Sequence, residues 1–270
     1  MKRNPQFQGV EWRDLVALTA GEKAWELTLS LPWLLGSLWC YGKGWWWAGL
    51  SCSFYFFLTG LRQSHNAQHY ALGFPRPVQD VVLFLLSVLM MASMHAVQTT
   101  HLHHHRHCME EDDGEGATAR LSWWRAVLTG PLFYARLHGA AWRQATQAKR
   151  RWIAFELCAV VSVVAAAVFS TEMTPLRWHT GAMLTGECLT GFFAVWTVHH
   201  GCHAGEPGRT QHGRWLNAVS YSMFLHADHH LFPAVPTAHL QELARRIDAA
   251  MPQQNRRQVM ELSSGGKTNL

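Results

Sequence analysis

Apolar residues along this chain gather in long blocks, and four of them read as membrane helices: roughly residues 25–41, 45–61, 152–170 and 178–198. Each approaches the ~20 residues needed to cross the hydrocarbon core of a bilayer. The breaks are short. Tyr41-Gly-Lys-Gly44 is a tight turn and residues 171–177 carry Pro175, so the blocks pair as two hairpins. A fifth block, residues 78–96, is apolar enough to span, with Val81, Val82, Leu83, Phe84, Leu85 and Leu86 in a row. A full crossing there would put the polar clusters before and after it on opposite sides, so it is expected to be interfacial, re-entrant or packed inside the helical body. Residues 121–147, with Trp123, Trp124, Val127, Leu128 and Leu132, read as membrane-surface helices, and 238–251 as a short amphipathic helix. The expected fold is an all-α integral membrane protein: one domain over residues 1–251, then a polar tail, 252–270, expected to be disordered.

Three histidine clusters sit just beyond apolar blocks: His65-Asn-Ala-Gln-His69, His101-Leu-His-His104-His105 and His226-Ala-Asp-His229-His230. Residues i and i+4 of a helix share a face, so His65 and His69 can reach one metal together. In the other two clusters the first histidine has partners at i+3 and i+4. The adjacent rings there diverge by roughly 100° around the helix and can feed two neighbouring metals. The pattern looks dinuclear, and nitrogen-only ligands at a membrane surface suit redox-active iron. A second register, His103 with His107, is also open to the middle run; the first is favoured, which turns His103 away from the metals.

At these residues the chain resembles the membrane fatty acid desaturase and hydroxylase superfamily, with its three boxes HxxxH, HxxHH and HxxHH in order from Arg62 to about Leu240. The acidic stretch Asp112-Asp113-Gly-Glu115 and the run Leu231-Phe232-Pro233-Ala-Val235-Pro236 strengthen the likeness. The resemblance also implies ligand positions in Trp196-Thr-Val-His199-His200-Gly-Cys-His203. His203 stands at the family's histidine, and His199 where an asparagine would be expected. The implied metal ligands are His65, His69, His101, His104, His105, His199, His203, His226, His229 and His230, around two iron ions, with dioxygen as co-substrate. Asp112 or Asp113 would accept a hydrogen bond from a ligand imidazole. The implied chemistry acts on unactivated C–H bonds of a lipid-like substrate: fatty acyl desaturation first, hydroxylation or carotenoid-type ketolation next. No catalytic residue beyond the metal ligands is called for. Electrons would come from a separate ferredoxin, rubredoxin or b-type cytochrome.

Composition narrows the alternatives. Of 270 residues 49% are hydrophobic and 15% charged, with 14 Trp and 18 His, which leaves little room beyond one membrane domain. Tryptophan runs such as Trp45-Trp46-Trp47 fit interfacial aromatic belts. The net charge of +5 is scattered and does not point to nucleic acid. Arg62, Arg76, Arg120, Arg125, Arg143, Lys149, Arg150 and Arg151 fall on the box-bearing face against Lys43 and Arg177 opposite, so the active face is expected to be cytoplasmic. Residues 1–12 lack the apolar run of a secretory signal, and six cysteines without a CxxC pair argue against a disulfide framework. A metal transporter would need more polar residues inside its spans than Glu156 and Glu187. An intramembrane zinc hydrolase would need fewer histidines and a carboxylate base. His95, His138, His179, His212 and His239 read as core or surface residues.

Overall fold

A computed structural model describes residues 9–170, 172–251 and residue 259, so the expectation of a disordered tail lies outside the described residues. The regular elements among them are helices: α1 (Ala20–Thr28), α2 (Leu31–Gly42), α3 (Trp46–Gln68), α4 (Arg76–Met90), α5 (Met94–His104), α6 (Trp123–Leu128), α7 (Gly130–Gln144) and α8 (Gln147–Phe169). Then α9 (Thr174–Thr190) runs through a π-helical stretch (Gly191–Trp196) into α10 (Thr197–His199). Three short helices close the chain: α11 (Arg214–Val219), α12 (His226–Leu231) and α13 (Leu240–Ala250).

The helix starts are written in the sequence. Thr19 and Glu22 form a capping box on α1, and the side chains of Ser93 and Thr146 cap α5 and α8. Proline stands in the first turn of α2, α4, α7 and α9, where no amide hydrogen is needed.

Among the described residues, two helices are long and apolar enough to cross a membrane, Gln147–Phe169 and Thr174–His199. They contain the third and fourth expected spans. Only 22% of the apolar window of α8 is buried, so its Phe155, Val161, Val168 and Phe169 face outward. The first expected span is two helices, because the chain breaks at Leu29–Ser30 ahead of Pro32. The second lies within α3, which has 23 residues but a polar second half.

The 78–96 block breaks too. α4 and α5 meet at 111°, a count of three spans requiring the bent pair to be one. Met91 makes the corner with φ of 65°, a left-handed conformation, and Ser93 starts the next helix. The corner is fastened from α8. Buried Glu156 accepts from Ser93 Oγ at 2.5 Å and from the His95 amide at 3.2 Å, and meets His95 Nδ1 at 2.5 Å.

Direction matters for the site. Rings of Trp46 and Trp178, near the starts of α3 and α9, lie 4.8 Å apart, while His65 and His199 sit near the far ends. The two helices therefore run the same way, and one end of the bundle is aromatic while the other carries the histidines. At ~1.5 Å per residue α3 covers roughly 34 Å between them.

Candidate metal centre

Each histidine cluster occupies the end of a helix. His65 lies in the polar half of α3, where Arg62, Gln63, Ser64, Asn66 and Gln68 are buried. Buried polar groups must be paired, and Glu26 of α1 does much of that. It accepts from Arg62 and from Asn66 Nδ2, and its carbonyl accepts from Gln63 Nε2. Asn66 Oδ1 in turn accepts from both the amide and the hydroxyl of Thr237, which ties box one to the loop after box three. Box three rides on α12, where buried Asp228 accepts from Thr210 Oγ1 at 2.5 Å and meets His212 Nε2 at 3.3 Å. Apolar residues of the loop after it, Phe232 and Val235, pack with Leu240, Leu243 and Ile247 of α13, the amphipathic helix expected over 238–251.

Nine histidines converge in two abutting groups. His65, His69, His101, His105 and His229 form one; His104, His199, His226 and His230 form the other. Each group offers one ligand atom per residue, all within 4.8 Å of one another. The adjacent pairs split between groups, His104 from His105 and His229 from His230, as the helical divergence requires. The groups share a wall, since the His105 and His230 rings stack 4.1 Å apart.

In the larger group the Nε2 atoms run in a chain, His101 to His105 at 3.1 Å, His105 to His229 at 3.2 Å and His229 to His69 at 3.1 Å. In the smaller, His199 Nε2 lies 3.1 Å from that of His104 and 2.7 Å from that of His226. His104 Nδ1 donates to Asp113 at 2.7 Å and His101 Nδ1 to Glu115 at 3.0 Å. A proton held at Nδ1 leaves the Nε2 lone pair turned inward. Burial opposes ionisation of Asp113, but the His104 bond and the amides of Gly116 and Met109 outweigh it and hold its pKa at about 2.

This donor set fits a metal. Inward lone pairs about 3 Å apart repel unless a cation lies between them. Burial, reinforced by neighbouring histidines, holds His226, His229 and His230 well below the usual imidazole range, whereas at His104 burial is outweighed by the bond to Asp113, which raises it. His65 Nδ1, His105 Nδ1 and His230 Nε2 are buried with no hydrogen-bond partner. Neutral imidazoles of this kind bind first-row transition metals well.

His203 is the exception among the expected ligands. It is exposed and belongs to neither group. The helix ends at His199, Gly201 turns the chain at φ of 75°, and the His203 amide donates to Glu206. His199, by contrast, is buried in the smaller group, with Gly208 packed against it so closely that a Cβ there would come 3.0 Å from its ring. Sequence reasoning named Asp113 as one of two acceptors but missed Glu115 and Glu26. The acidic stretch itself was the available signal for Glu115; nothing in the sequence marks Glu26.

The family model of fatty acid desaturases matches residues 44–261, a stretch that takes in every one of these histidines. The chain belongs to the fatty acid desaturase family. No curated protein matches it. Membership of the desaturase family carries oxidoreductase activity on lipids, and the apolar helices fit its membrane setting.

Four further histidines serve packing. His138 accepts from the Ser93 amide and donates to Tyr134 O, His179 donates to Leu89 O, and His239 lies between Leu15 O and Glu22. His95 faces Glu156 and Asp80 with its two ring nitrogens, away from both groups.

Proposed function

We propose that this chain is a membrane-bound, dioxygen-dependent, non-haem di-iron oxidoreductase that acts on unactivated C–H bonds, with fatty acyl desaturation as its reaction. The observation that carries the reading is the pair of abutting groups of five and four histidines, six of them buried and three half-buried. His65, His69, His101, His105 and His229 would hold one iron, and His104, His199, His226 and His230 the other. With iron bound, the site would supply dioxygen reduction and hydrogen abstraction from an unactivated carbon.

The protein's own part is orientation. Asp113 and Glu115 keep the protons of His104 and His101 at Nδ1, and the walls of α3, α5, α10 and α12 exclude water from the ring nitrogens. The choice between losing a second hydrogen and gaining a hydroxyl rests on where the substrate carbon is held. A lipid acyl chain suits a centre set at the end of apolar helices.

The reading includes topology. Two hairpins, α1–α2 with α3 and α8 with α9–α10, would give four spans, the α4–α5 corner being re-entrant. The shared direction of α3 and α9 supports this arrangement. The excess of basic residues near the histidine end supports a cytoplasmic active face. The same charge suits the docking of an acidic electron donor of the ferredoxin, rubredoxin or b-type cytochrome kind.

The test is anaerobic iron quantification, then reduction, oxygen exposure and mass analysis of co-purified lipids. The reading expects about two irons per chain and products about 2 Da lighter; a gain of about 16 Da would make the enzyme a hydroxylase. A chain that takes up no iron and leaves lipids unchanged with every reductant would overturn it.

A further inference from the structure

A third cluster of metal-binding side chains lies outside the histidine cage. His103 and His107 stack their rings at the end of α5, with centroids 4.4 Å apart and planes 17° from parallel. Asp112 closes the cluster, its carboxylate 3.3 Å from His103 Nε2 and 3.7 Å from His107 Nδ1. One atom from each of the three lies within 4.8 Å of the others. His107 Nδ1 also meets Glu110 Oε2 at 2.9 Å. His103 Nε2 is shielded from solvent yet has no aligned hydrogen-bond partner, even with Asp112 so near. A cation between the two imidazoles and the carboxylate would engage it.

We propose that His103, His107 and Asp112 form a separate site for a first-row divalent cation such as zinc or iron(II). Two imidazoles and one carboxylate are a common donor set for these ions and leave positions for water or for Glu110. The proposal goes beyond the di-iron reading and stands without it, since none of the three side chains belongs to either cage group. The site has a structural consequence. Asp112 directly precedes Asp113, and the same loop carries Glu115, so a cation on Asp112 pins the segment that orients His104 and His101.

The experiment compares full-length wild-type protein with His107→Ala and Asp112→Asn, both changes at partly or fully exposed side chains. Each protein is loaded with iron, titrated with zinc(II) and passed through a desalting column, and both metals are counted. Wild type is expected to retain about one zinc per chain more than either variant, with equal iron in all three. Zinc should also slow amide hydrogen exchange over residues 107–115 in wild type alone. Equal zinc uptake by all three proteins would overturn the proposal. So would a loss of iron in parallel with zinc in the variants, because the cluster would then be part of the cage.

Discussion

His104 and His105 are neighbours in the chain and serve different groups, because consecutive side chains on a helix point about 100° apart. Behind His104 and His101 stands a carboxylate, Asp113 and Glu115, that holds the ring in place. Replacing Asp113 with Asn or Glu115 with Gln exchanges the charged acceptor that fixes the Nδ1 proton of His104 or His101 for a weaker, neutral amide. Either change should weaken metal binding by ~10–100-fold while the helical content stays the same. A metal titration followed alongside circular dichroism checks both halves of this. The boxes were legible because their spacing is that of a helix. His203 was not, because it lies past a helix end, where spacing no longer implies direction. His203→Ala should leave metal content unchanged, whereas His199→Ala should lose about one equivalent, by elemental analysis of the purified variants. If the His203 variant loses metal and the His199 variant does not, the assignment of the smaller group is wrong.

At the level of elements, the corner between α4 and α5 decides where box two lands. The only local mark is Ser93, a capping residue: Met91-Ala92-Ser93 holds neither Gly nor Pro, and the left-handed residue is a methionine. The need for all boxes to converge pointed to a bend somewhere in the block, and Pro32 flagged the break in the first segment. The site of the α4–α5 bend comes from tertiary contacts instead, above all Glu156 on α8. Glu156→Ala leaves His95 and Ser93 facing a cavity deep in the helical body. Leaving a buried polar group without its partner costs about 1–3 kcal/mol. The variant should melt at a clearly lower temperature and be cut by protease near residues 91–93. Met91→Gly relieves left-handed strain of about 1 kcal/mol but empties a fully buried side-chain position at a cost of about 2–5 kcal/mol, so it too should melt lower. Equal melting of wild type and Glu156→Ala would show that the corner is held by packing alone.

Over the whole molecule, the cage couples stability to pH. His226, His229 and His230 stay neutral in the folded chain well below the ordinary imidazole value of about 6.5, because burial disfavours their charged form. The unfolded chain takes up protons on them near that value. Below about pH 6.5 the unfolded state therefore binds more protons than the folded one, and stability falls as the pH falls. The slope reaches ~1.4 kcal/mol per pH unit for each such histidine, and it vanishes above pH 6.5, where both states are neutral. Metal affinity moves in the same direction, since protons compete for the same nitrogens. Metal-stripped protein in detergent should melt at a lower temperature at pH 5.5 than at pH 7.5. Added metal should raise the melting temperature most at the higher pH, where every ligand is free to bind. A melting temperature that stays flat across this range would mean that the three α12 histidines are solvated or already charged. In that case they could not serve as the neutral donors on which both groups depend.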